Sequence, residues 1–259
     1  MTDLLHRSDP DHVIVSNPQG SSCVVVVCEH AHNFIPAEFH DLGLSGADRQ
    51  SHAAWDPGAM AVAQGLSRRL DATLVASGVS RLVYDCNRPP SAPDAMPAQS
   101  ETISVPGNAD LSAQQRADRA ACYYEPFRER LATVIQSKPA PVIVTVHSFT
   151  PIYHGRARAV EIGILHDSDA RLADAMLQTA RAHTDANVQR NDPYGPADGV
   201  THTLREHALR HGHLNVMIEI RNDLIATDSH QQEMAQRIAK WLAEACAQIG
   251  ADGVQPCQG

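Results

Sequence analysis

The sequence is short of positive charge. Its 259 residues carry 21 Lys and Arg against 30 Asp and Glu, a formal net charge of −9. That balance excludes a general nucleic-acid binder, which needs clustered cations to contact phosphates. An apolar run long enough to span a bilayer is also missing, so no membrane partner is expected. The opening segment, MTDLLHRSDPDHVIVSNPQG, lacks the apolar core of a secretory signal, and the expected location is cytoplasmic. The six cysteines form no CxxC pair and no zinc-finger spacing, and they read as reduced, structural thiols. There is no HExxH, and no GxSxG elbow surrounds Ser148 or Cys28, which weakens a nucleophilic serine or cysteine. Aromatic residues amount to only 4%, whereas histidines number 15. Where those histidines fall matters more than their number.

What is present is a set of β-branched apolar runs alternating with helical patterns. Cys23–Cys28 (CVVVVC), Ala72–Ser77, Pro141–Pro151, Ala159–Leu165 and Leu214–Ile220 read as strands. Gly58–Leu70, Leu111–Gln136 with a bend near Pro126, Ala170–His183, a short stretch within THTLREHALRHG and His230–Gly250 read as helices. The Trp55-Asp56-Pro57 tripeptide reads as a helix start with Asp56 able to cap. The stretch Gly78–Asn108 is long, rich in Pro, Ser and Asn, and predicts a functional loop. This alternation predicts one domain over 1–259, with a core at about 20–250. Its class is α/β: a three-layer α/β/α sandwich around a mainly parallel or mixed sheet.

Three of these strands end in groups suited to metal binding or proton transfer. The first ends in Glu29 and His30, the second in His147, and the third carries Glu219 between Ile218 and Ile220. In open α/β sheets, strand ends gather along one rim, so residues distant in sequence can converge there. A hydrolytic zinc site needs about three His, Asp or Glu ligands, an open position for water, and a carboxylate outside the metal shell to carry a proton. His30, His147 and a carboxylate near Asp56 meet the first requirement, and Glu219 meets the last. The third ligand stays open among Asp56, His52 and Glu29, because Asn33 stands where a local HxxE would place its glutamate. Arg81, Arg88, Arg156, Arg158 and Arg221 offer guanidinium forks for substrate carboxylates, and such a pocket suits a dicarboxylate. The structural alternative is an ion pair: Arg81 or Arg88 with Asp85, or Arg221 with Asp223. His207 is either a surface helix residue or a polar contact to substrate.

Seven segments occur here in the order seen in one family: CEHAHNFIP, HAAWDPGA, SRLVYDCNRP, VPGN, VHSFTP, DGVTHTLREHA and VMIEIRNDLI. Over roughly Val24–Trp241 the sequence resembles the N-formylglutamate amidohydrolases. The resemblance implies a fold similar to the zinc-dependent exopeptidases and amidases, with Zn2+ or another divalent metal as cofactor. It implies hydrolysis of a small-molecule N-acyl amino acid, with formate and glutamate as the namesake products. By the resemblance, His30 and His147 hold the metal, Asp56 and His52 compete for the remaining ligand role, and Glu219 moves the proton. Arg88 and Arg221, with Asn87, His207 and Arg81, hold the substrate carboxylates. Two other readings accompany this one: a hydrolase of another N-acyl or N-carbamoyl compound or small peptide-like amide, and a non-catalytic carboxylate-binding protein.

Overall fold

The computed structural model describes residues 12–251 and Val254. The first eleven residues, on which the reading of a missing signal partly rests, and nearly all of the tail past Ala251 lie outside the described residues.

The strands assemble one seven-stranded sheet. In chain order they are β1 (Val13–Ser16), β2 (Val24–Cys28), β3 (Thr73–Ser77), β4 (Val142–Phe149), β5 (Ile162–Leu165), β6 (Val188–Arg190) and β7 (Leu214–Arg221). Their order across the sheet is β1-β3-β2-β4-β7-β5-β6. The four central strands β3, β2, β4 and β7 run parallel. β1 pairs antiparallel with β3, β5 pairs antiparallel with β7, and β6 runs parallel to β5, so the sheet is mixed. The central strands are buried on both faces, which explains why CVVVVC and VIVTVHSF read as continuous apolar runs.

Alternation of side chains sorts these strands into two cores. Val24, Val26 and Cys28, with Val142, Val144 and Val146 and with Val216, Ile218 and Ile220, face one layer. That layer is made by helices α1 (Ala59–Leu70), α4 (Arg171–His183) and α6 (Asp228–Gln248). Val25, Val27, Ile143 and Met217 face the other layer. There α3 (Glu125–Gln136) and α5 (His202–His207) pack together with the segment around Val79–Val105. Continuing the same alternation puts His147 and Glu219 on this second face, opposite the apolar one packed on α1, α4 and α6.

The helix expected over Leu111–Gln136 is interrupted. After α2 (Ala113–Arg119), residues Ala120–Tyr124 form a π turn that leads into α3. Pro126 in the first turn of α3 has no N–H to donate, and the wider turn relieves that defect where a bend was expected. The edge strands β1 and β6 and the short helix Gly46–Gln50 escaped the sequence pattern, and two small ladders escaped it as well. One is the hairpin Ile152–Tyr153/Arg156–Ala157, and the other is the ladder of Gln99–Ser100 with Ile103–Ser104 inside the long loop. Strands of two residues carry no readable period. Among the described residues, no helix is long and apolar enough to cross a membrane, and the five described cysteines are free.

Candidate active site

His30 follows β2, Asp56 precedes α1, and His147 lies near the carboxyl end of β4. The structure brings these three buried residues into one group able to hold a metal ion. The Nδ1 atoms of His30 and His147 are 3.2 Å apart. Asp56 Oδ2 lies 3.3 Å from His30 Nδ1 and 2.9 Å from His147 Nδ1. Ligand atoms held at zinc bond lengths of about 2.0–2.2 Å in a tetrahedron stand roughly 3.3 Å apart, so the spacing fits a small cation.

The far sides of both imidazoles support the same conclusion. His30 Nε2 donates to Asp85 Oδ1 at 2.7 Å. His147 Nε2 lies 3.1 Å from Glu29 Oε2, an ion-pair contact whose angle is too poor for a hydrogen bond. With the outer nitrogens turned to carboxylates, the ring protons belong on Nε2, and each Nδ1 points a lone pair at the Asp56 carboxylate. Three electron-rich atoms then face one another, an arrangement that needs a proton or a cation at its centre. Burial alone would lower the His147 pKa, but the Glu29 and Asp56 carboxylates outweigh it and hold it well above its ordinary value. Burial would raise Asp56 and Asp85, yet His30 above all, with His147 at Asp56 and Arg81 at Asp85, holds both below the usual carboxylate range.

Asp56 is not the helix cap the sequence suggested. Gly58, at φ +83°, occupies the cap position of α1 without a side-chain hydrogen bond, which leaves the Asp56 carboxylate to turn inward. There Asp56 Oδ2 also accepts the Ser148 N–H at 3.2 Å. The other two contenders for the ligand role stand outside the group. His52 Nε2 bonds Glu101 Oε2 at 2.8 Å, and Glu29 lies behind His147.

Glu219 is the direct register partner of His147 in the parallel β7–β4 pair. It is buried, and its Oε2 has no hydrogen-bond partner. Burial pushes its pKa up to about 7, against the partial relief that the charge of His147 provides. A carboxyl whose pKa is raised, next to a group able to hold a cation, is suited to receiving and returning a proton.

The residues expected to bind substrate carboxylates separate clearly. Arg81 belongs to the cluster: its guanidinium donates to Asp85 Oδ2 at 2.9 Å and to Asp56 Oδ1 at 3.5 Å. The others are engaged elsewhere. Asn87 ties the long loop to α5, donating to the Val200 carbonyl at 2.6 Å and accepting the Thr203 N–H at 3.0 Å. Arg88 pairs with Asp94 at 2.7 Å and donates to the Gly199 carbonyl at 3.0 Å. Arg221 is held by Asp223 at 2.8 Å and Glu161 at 3.2 Å. His207 lines a cavity of about 400 Å³ with His211, His213 and Pro141, at the amino ends of β4 and β7 and so at the opposite end from His147 and Glu219. Burial and the neighbouring His202 lower its pKa to about 4. Asp85 was considered in the sequence only as an arginine partner; nothing in its spacing pointed to His30.

Fold and site together define a mixed α/β protein with a buried two-histidine, one-aspartate group at the carboxyl rim of its sheet. The family model described as N-formylglutamate amidohydrolase matches residues 22–226. The chain belongs to the N-formylglutamate amidohydrolase family and is a hydrolase acting on an amide C–N bond of a small molecule. It is similar to the crystal structure of the gene product Atu2144 from Agrobacterium tumefaciens, with 52% identity and a TM-score of 0.92 over 94% of this chain and 98% of that one. It shares a fold with N-formylglutamate amidohydrolase from Ralstonia eutropha JMP134, at 19% identity and a TM-score of 0.58 over 90% of this chain and 96% of that one. A search of curated proteins found no match.

Proposed function

We propose that the chain is a metal-dependent amidohydrolase that cleaves an N-formyl or other N-acyl amino acid, N-formylglutamate foremost, into the free acid and the amino acid. His30, Asp56 and His147 would hold the divalent cation, Zn2+ by the chemistry of two imidazoles and one carboxylate. When bound, such a cation supplies a Lewis acid for the amide carbonyl and a lower pKa for water. Asp85 and Glu29 keep both imidazoles with Nδ1 turned inward. Glu219 accepts the proton of the attacking water and later delivers it to the departing nitrogen, so that the C–N bond breaks to a neutral amine. Arg81, at the edge of the cluster, faces the acyl carbonyl or a substrate carboxylate. The free thiols of Cys23, Cys28, Cys86, Cys122 and Cys246 support a cytoplasmic location.

The observation that carries this reading is the buried Glu219 carboxyl, unpartnered at Oε2 and in register with His147. Glu219→Gln preserves shape and removes the proton carrier. Turnover of N-formylglutamate should fall about 10²–10⁴-fold, with metal content by elemental analysis unchanged. Turnover within threefold of the parent would remove Glu219 from the role. A parallel screen of N-formyl, N-acetyl and N-carbamoyl amino acids, with chelator controls, ranks the substrates.

A further inference from the structure

Three of the five guanidinium groups offered for substrate carboxylates are each neutralised by an acid, and Arg156 lies exposed on the Ile152–Ala157 hairpin. Arg81 pairs with Asp85, Arg88 with Asp94, and Arg221 with Glu161 and Asp223. Arg158 is different. Among the described residues no carboxylate lies within 4.0 Å of it. Its guanidinium is held instead by aromatic faces, 4.4 Å from the Tyr153 ring centroid, 4.9 Å from Tyr194 and 5.5 Å from Phe149. One terminal nitrogen donates to Tyr194 Oη at 2.9 Å, and the other reaches the Thr150 carbonyl at 3.5 Å. A guanidinium has five N–H donors in a planar fork, so most of that fork has no partner. A ring cage fixes the fork's orientation without cancelling its charge, since quadrupole attraction leaves the cation's hydrogen-bonding edge free.

The location connects this cage to the chemistry. Phe149 ends β4 two residues beyond His147, and it is the register partner of Arg221, two residues beyond Glu219. Tyr194 is close enough to Glu219 and Arg81 to feel both charges. The Arg158 main-chain carbonyl accepts from Arg221 at 3.3 Å, which fastens the segment to the end of β7. The fork therefore stands at the carboxyl rim of the sheet, at the ends of the strands that carry His147 and Glu219, on the half-buried segment that follows the Ile152–Ala157 hairpin.

We infer that Arg158, caged by Phe149, Tyr153 and Tyr194, is the anchor for a carboxylate of the amino-acid part of the substrate and sets the preference for acidic N-acyl amino acids. This deepens the proposed function and rests on it for the identity of the substrate, not for the anion site itself. A carboxylate seated on the open fork gains two parallel charge-assisted hydrogen bonds in a place where no protein acid competes.

The test uses the metal-loaded full-length enzyme. Arg158→Met should raise KM for N-formylglutamate at least tenfold, with kcat within about threefold, which is the loss expected for one charged hydrogen-bonding contact. Arg158→Lys keeps a cation in the cage without the fork and should show an intermediate KM; it also guards against a folding defect in the methionine variant. N-formylglutamine and the α-amide of N-formylglutamate each lack one carboxylate. The analogue missing the anchored group should react with a KM that Arg158→Met does not change, which tells the two carboxylates apart. Calorimetric binding of glutarate provides a reading without turnover: the parent should bind, and Arg158→Met should bind at least tenfold more weakly. An unchanged KM for N-formylglutamate together with unchanged glutarate affinity overturns the anchor while leaving the amidohydrolase reading intact. If the parent hydrolyses no N-acyl amino acid yet glutarate binding depends on Arg158, the substrate reading falls and the anion site stands.

Discussion

Glu219, the proposed proton carrier, shows how a structural cost and a chemical role can fall on one residue. A carboxyl buried in an apolar strand resists ionisation, and its pKa is raised from an ordinary 4.5 to about 7. The sign of the consequence follows from proton counting. Between about pH 4.5 and 7 the folded protein keeps a proton that the unfolded chain has released, so stability falls as pH rises through that window. Glu219→Gln abolishes this penalty. In chelated protein at pH 8, its thermal midpoint should lie above the parent's by roughly 2–4 °C per kcal/mol gained, with the difference vanishing near pH 4. Calorimetry at the two pH values decides this, and a variant less stable than the parent at pH 8 would contradict it. Activity should run the other way, because the proposed base acts ionised: turnover should climb along an acid limb, which a bound cation shifts to lower pH than in the chelated protein. The change expected to abolish turnover under the proposed function is thus also expected to stabilise the fold.

At the scale of elements, β5 explains how the rim is left open beside Glu219. Gly163 is the antiparallel partner of Glu219. A methyl group there would fall on the Asp192 carbonyl oxygen and come within 3.2 Å of Glu219 Cβ. Only a bare Cα lets the Asn191–Gly199 loop, with Tyr194, lie against the strand. Gly163→Ala should therefore cost about 1–3 kcal/mol by overpacking in urea denaturation. It should also lower kcat, because the loop and Glu219 must both shift; unchanged values of both would show that the loop accommodates the methyl. This constraint was not legible in AVEIGIL, where Gly163 looks like any strand glycine, since the atom it avoids comes from a loop thirty residues away. Strands β2, β4 and β7 were legible for the opposite reason. Burial on both faces writes itself as a continuous run of β-branched residues, and the polar residues that interrupt each run mark the rim. The arginines were legible as a class but not individually. Whether a guanidinium is neutralised depends on partners such as Asp94 or Glu161, whose approach is set by tertiary structure.

For the whole molecule, the candidate centre joins three pieces of chain that share no local contact in sequence: the residue pair after β2, the turn before α1 and the end of β4. Pairing of β2 with β4 brings the first and last together, and the turn follows because Asp56 N donates to the His30 carbonyl at 2.9 Å. A cation bound there would cross-link the centre of the sheet to the layer that contains α1. Binding to the folded chain alone stabilises it by about 4 kcal/mol at a thousandfold excess over Kd. For a chain of this size that corresponds to a rise in thermal midpoint on the order of 10 °C. Titrating Zn2+ into chelated protein should produce such a rise, and His147→Ala should abolish it, because two remaining ligands no longer close the site. His52→Ala, whose imidazole binds Glu101 instead, should retain the full rise. Loss of the rise in His52→Ala but not in His147→Ala would move the centre from the end of β4 to the segment before α1, and would require the sheet rim to be rebuilt around a different histidine.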